Sequence, residues 1–141
     1  MSEALVRKWF DAFVADDWDT VKEFYADNSV FVEVPTGLTY TGVEENLAQD
    51  QGWKAMMSDL RPQYNNVIES GNTVVCEMTM TGTMTGEMEM PDGTKVPPTN
   101  KTATVDVCMI TEWNGGKMSK GTMYMDMMTF LQGLGVMPAE N

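Results

Sequence analysis

Three side chains near the end of the chain, Thr122, Tyr124 and Asp126, alternate along a stretch that reads as a last strand. On extended backbone they share one face. Asp126 stands where the alternation stops and a helical pattern (Met127, Phe130, Leu131, Leu134) begins. Two chemistries are open to a carboxylate at that junction. As a helix N-cap it accepts the backbone N–H of Thr129. As a desolvated group its pKa rises toward the working pH, and it becomes an acid–base catalyst. Tyr124 would then stabilise a developing enolate by donating to it. Its alternative is structural, a buried ring with the hydroxyl at the rim.

The chain has no histidine. That excludes Ser-His-Asp and Cys-His catalysis and removes the commonest metal ligand, and no metal is expected. Acid–base work falls to Asp, Glu, Tyr, Lys or Cys. Asp106, Glu33 and Glu77 are each the polar member of an alternating strand and are expected in solvent, with Asp106 a second acid if its face is the inner one. Cys76 and Cys108 lie in separate strand-like runs and read as reduced, buried thiols, with a disulfide between them the alternative that spacing leaves open.

Fifteen methionines are present, many on the strands. A flexible, polarizable side chain suits an adaptable apolar surface, though it also builds ordinary core. Met80, Met84 and Met109, with Trp53, Met56 and Met57, are the candidate lining of a ligand cavity. Such a wall fits a flat, apolar small molecule. The net charge of -12 argues against nucleic acid, since phosphate binding needs clustered Lys and Arg, and it disfavours anionic membranes. No apolar run approaches the roughly 20 residues of a membrane span. Residues 1–7 lack a basic segment followed by an apolar one, so a cytoplasmic location is expected.

These groups must be positioned by one domain over residues 1–141. Leu5, Val6, Trp9, Phe10, Phe13 and Val14 make one apolar stripe, predicting a helix over 3–15 with Ser2 as N-cap. A short second helix follows the cap candidate Asp17 and runs through Val21, Phe24 and Tyr25. Residues 29–34 alternate and stop at Pro35, so they are a strand. A third helix is expected over about 43–60, ended by Pro62. Strands then cover 64–70, 73–86, 101–113 and 117–125, joined by turns at Ser70-Gly71-Asn72, Met90-Pro91-Asp92-Gly93-Thr94 and Asn114-Gly115-Gly116. Strands of a dozen residues reach about 40 Å and must bend. A bent antiparallel sheet with helices on one face forms an α+β cone around a cavity.

This order of elements resembles the nuclear transport factor 2-like superfamily. Within it the chain is similar to the SnoaL-like polyketide cyclase (ester cyclase) family. The resemblance lies in Pro35-Thr36-Gly37 to Tyr40-Thr41-Gly42, Thr81-Gly82-Thr83-Met84-Thr85-Gly86, Val96-Pro97-Pro98-Thr99, and Asp126 to Leu131-Gln132-Gly133-Leu134-Gly135. It implies a cone-shaped fold, a homodimer, and cofactor-free ring closure by a carboxylate in an apolar cavity. Asp126 matches that carboxylate. Relatives often carry His where this chain has Met84, and an aromatic–acid pair where it has Thr122-Met123. The resemblance therefore implies binding of a small apolar carbonyl compound, with cyclase- or isomerase-like acid–base chemistry. The alternative is a non-catalytic lipophilic binding module.

Overall fold

The computed structural model describes residues 2–90 and 92–137; the Pro91 of the expected turn lies outside them. Helix α1 (Ser2–Val14) buries Val6, Trp9, Phe10 and Phe13, the stripe its spacing predicts. Ser2, expected as cap, is already its first residue. Helix α2 (Trp18–Glu23) starts at Asp17, whose carboxylate accepts the Thr20 N–H at 3.3 Å. The helix stops there rather than running through Tyr25. That residue opens strand β1 (Tyr25–Glu33), and its ring is buried beside Trp9.

A turn at Gly37, with φ +73°, leads into the short strand β2 (Leu38–Thr41). Helix α3 (Gly42–Met56) follows, shorter than expected. Pro62 does not end it. It sits in β3 (Arg61–Ser70), an edge strand, where a missing N–H is tolerated. The rest is β4 (Thr73–Thr83), the small hairpin β5 (Met88–Glu89) and β6 (Lys95–Val96), then β7 (Thr102–Asn114), β8 (Lys117–Met125) and helix α4 (Met127–Gly133).

Six strands form one sheet in the order β2-β1-β8-β7-β4-β3. Every pair is antiparallel except β1 with β8, which join the two ends of the chain in parallel. The first three helices pack on one face. That inner face takes Val74, Cys76 and Met78 of β4, Val105, Val107 and Met109 of β7, and Met123 of β8. Gly121 lies on the same face because the Phe31 ring crosses it; a Cβ there would stand 2.5 Å from Phe31 Cδ2. The outer face is polar, with hydroxyl pairs Thr81–Thr104 at 3.2 Å and Thr83–Thr102 at 2.8 Å. Among the described residues no helix is long and apolar enough to cross a membrane.

Candidate functional site

An apolar pocket lies between the helices and the inner face of the sheet, with about 70 Å³ open to the centre of a water molecule. One water needs roughly 10–15 Å³ by this measure, so the space admits a small organic molecule or several waters. Trp9, Phe10 and Phe13 of α1, Phe31 of β1, Trp53 and Met57 from the α3 end, and Phe130 of α4 wall it against the methionines and valines of the strands. Two wall residues carry strongly polar side chains, Gln49 and Asp50.

Both belong to α3, whose buried line is polar: Asn46, Asp50 and Lys54 recur every four residues, and each is under a tenth exposed. Burial of such groups demands partners. Asn46 Nδ2 donates to the Gly42 carbonyl at 2.7 Å and to Ser29 Oγ at 3.1 Å. Lys54 Nζ donates to the carbonyls of Ser58 at 2.8 Å and Val14 at 3.1 Å, tying the C-terminal ends of α3 and α1 together. Asp50 Oδ2 accepts from the Tyr25 hydroxyl. Burial pushes the Asp50 carboxyl up to about 7, and the Tyr25 hydrogen bond opposes this. Burial also raises Tyr25 well above the usual phenol range, and the Asp50 charge raises it further. The Trp9 ring stands edge-on to Tyr25 at 6.3 Å, and its buried Nε1–H makes no hydrogen bond of normal geometry.

A second carboxylate lies behind Gln49. Glu33, 4% exposed at the end of β1, accepts from Thr36 Oγ1 at 2.7 Å and from Gln49 Nε2 at 2.8 Å. Its expected place in solvent is corrected. Residues 29, 31 and 33 share the inner parity of β1, so Ser29, Phe31 and Glu33 are all buried.

The sequence model of the SnoaL-like domain matches residues 6–120. The chain belongs to the SnoaL-like family. No curated protein sequence matches it significantly. IdmH, a candidate polyketide cyclase from Streptomyces antibioticus, is 20% identical with a TM-score of 0.79, covering 96% of this chain and 99% of that one. A candidate SnoaL-like polyketide cyclase from Jannaschia sp. CCS1 is 18% identical with a TM-score of 0.82, covering 97% and 93%. A protein of ketosteroid isomerase-like fold from Catenulispora acidiphila, solved with trimethylamine, is 18% identical with a TM-score of 0.76, covering 96% and 95%. These likenesses establish the nuclear transport factor 2-like α+β cone.

In this SnoaL-like chain the residues singled out by sequence divide between the two faces. Thr122, Tyr124 and Asp126 do share a parity, but it is the outer one; Met123 and Met125 turn inward and line the pocket. Tyr124 is 46% exposed. Asp126 caps α4, accepting the Thr129 N–H at 3.1 Å and the Thr129 hydroxyl at 2.5 Å. That hydroxyl first, and then the backbone N–H, hold its carboxyl below the ordinary range. Neither Asp126 nor Tyr124 borders the apolar pocket; both line an open, more polar cleft on the outer face with Asn65, Asn66, Glu77 and Asp106. Trp53, Met57, Met80 and Met109 lie on the pocket wall. Met56 and Met84 are buried outside it, Met84 with its sulfur 3.6 Å from Thr99 Oγ1. Asp106 and Glu77 are exposed on the outer face. Cys76 is buried and Cys108 half-buried, both as free thiols.

Sequence reasoning passed over Asp50 and Tyr25. The signal for Asp50 was its position three residues from both Leu47 and Trp53, on the apolar side of α3. Tyr25 was hidden by the helical reading of its segment.

Proposed function

We propose that this chain binds a small apolar carbonyl compound in the pocket and moves a proton next to its carbonyl, with Asp50 as the acid–base group. The observation that carries this reading is a buried carboxyl, held by one phenol, on an otherwise apolar wall, where burial pushes it up to about 7. A carboxylate of ordinary pKa is a poor base, and one raised to about 7 is both present as base and strong enough to return the proton near neutrality. Tyr25 holds Oδ2 in place, and Oδ1 takes the α-proton of the bound ketone. The C–H pair becomes the enolate π bond, Asp50 becomes the neutral acid, and reprotonation at carbon restores both. Trp9, whose indole N–H stands beside the Tyr25 hydroxyl without a hydrogen bond of normal geometry among the described residues, would supply a donor for the enolate oxygen. The same enolate attacking a second carbonyl within the substrate would close a ring. No cofactor is needed for either outcome.

The test is exchange of α-hydrogens of a probe ketone such as acetophenone for deuterium in heavy water, followed by NMR. Wild-type protein is expected to accelerate exchange above buffer, and Asp50→Asn to lose at least about a hundredfold of that acceleration. Exchange equal in wild type and Asp50→Asn would remove Asp50 from the chemistry. Saturable probe binding without exchange would favour the alternative, a lipophilic binding module, for which the methionine-rich wall is the supporting observation.

A further inference from the structure

Gln49 lines the pocket one residue before Asp50, and its amide orientation is decided by a group that the proton transfer does not use. A primary amide can present either its N–H₂ or its carbonyl oxygen to a ligand, and the two are interchanged by a half-turn about the last side-chain bond. Glu33 breaks that symmetry. Its carboxylate only accepts. One oxygen is already engaged by Thr36 at 2.7 Å, and the other faces the Gln49 amide at 2.8 Å. The atom of Gln49 that meets Glu33 is therefore nitrogen, because an oxygen there would oppose two acceptors in a buried setting. Gln49 Oε1 accepts no hydrogen bond from any described residue.

We infer that Glu33 is a positioning residue that locks the Gln49 amide with Oε1 toward the ligand, making Gln49 a specificity determinant that selects ligands bearing a hydroxyl donor. The inference rests on the pocket being the ligand site, as proposed above. It adds what that reading leaves open, namely which polar pattern the ligand carries. An apolar wall tolerates many shapes; a fixed acceptor rejects a ligand that offers it another acceptor or a methyl group, since its own desolvation then goes unrecovered. A lone Gln49 could turn to suit either ligand. Fixed from behind by Glu33, it cannot.

The experiment measures binding of three probes, 4-hydroxyacetophenone, 4-methylacetophenone and 4-methoxyacetophenone, by isothermal titration calorimetry. Wild-type protein is expected to bind the hydroxy ketone about tenfold more tightly than the methyl ketone. Gln49→Leu should bring that ratio to about one. Glu33→Gln is the discriminating variant. A glutamine at that position can donate to Gln49 Oε1, which frees the amide to turn. Selectivity for the hydroxy ketone should then fall at least about threefold, with a gain for the methoxy ketone. A packing role for Glu33 would weaken all three probes alike and leave the ratios unchanged, which would overturn the inference. So would equal wild-type affinity for the hydroxy and methyl ketones, although the pocket would still stand as the ligand site. Failure of all three probes to bind the wild-type protein would overturn the pocket reading and this inference with it.

Discussion

Asp50→Asn should make the protein more stable, and by an amount that depends on pH. The Asp50 carboxyl moves from an ordinary 3.8 to about 7 on folding, because burial penalises its charged form. Below pH 3.8 it is neutral in both folded and unfolded chains and exerts no differential effect. Between 3.8 and about 7 the folded chain holds the proton and the unfolded chain has released it. Unfolding then releases a proton, so stability falls as pH rises. Above about 7 the folded chain carries the buried charge, and the loss is complete. A gap of roughly three pH units corresponds to about 4 kcal/mol at 1.36 kcal/mol per unit. Asparagine keeps an oxygen to accept from Tyr25 and has no charge to bury. The wild-type and Asp50→Asn proteins should thus be nearly equal in stability at pH 4. At pH 8 the variant should be ahead by about 2–4 kcal/mol, the lower figure applying if water relaxes around the charged form. Urea denaturation of both proteins at pH 4, 5, 6, 7 and 8 measures the difference directly, and other titrating groups cancel in the comparison. A difference that stays flat across this range would refute the reasoning, because Asp50 would then titrate alike in both states.

Tyr25→Phe removes the hydrogen bond that lowers Asp50, so the carboxyl should climb further above 7, by about one pH unit, read from the carboxyl carbon in an NMR titration. Asp126→Ala should lower the melting temperature by a few degrees through loss of the α4 cap, and Asp126→Asn should restore it, since asparagine caps equally well. Deuterium exchange into a probe ketone should be unchanged in Asp126→Asn; a large loss would return the chemistry to that residue. Gly121→Ala sets a methyl group 2.5 Å from the Phe31 ring and should destabilise by about 1–3 kcal/mol in urea denaturation, with the ring forced toward the pocket.

Most of the fold was legible because its signals are local. The α1 stripe, the Asp17 cap, the alternation along β4 and the glycine turns before β4 and β8 each lie within a few residues of one another. What was not legible is non-local. The parallel pairing of β1 with β8 joins residues nearly a hundred positions apart, and no local pattern encodes it. β2 is four mostly exposed residues and offers no alternation to read. Tyr25 follows a helix without a breaker, and only its burial beside Trp9 and Asp50 makes it the start of a strand.

The site was harder for a different reason. A period of two says which residues share a face but not which face is inside. Along β8 the alternation sets Thr122, Tyr124 and Asp126 against Met123 and Met125, and burial alone sends the methionines inward. An acid at a strand end is therefore conspicuous in sequence because it is exposed. An acid that does chemistry must be enclosed, and in α3 it hides among neighbours that are equally polar. Asn46, Asp50 and Lys54 form one buried line, yet only position separates their roles. Asn46 and Lys54 donate to fixed backbone carbonyls, which holds them as structural ties. Lys54 also stands 3.6 Å from Asp16 Oδ1 at the surface end of the line. Asp50 alone of the three borders the pocket, and its side-chain partner is the Tyr25 hydroxyl. A carboxyl held by a phenol whose own pKa is raised keeps one oxygen free and its proton negotiable, and the acid–base role proposed for Asp50 rests on that difference.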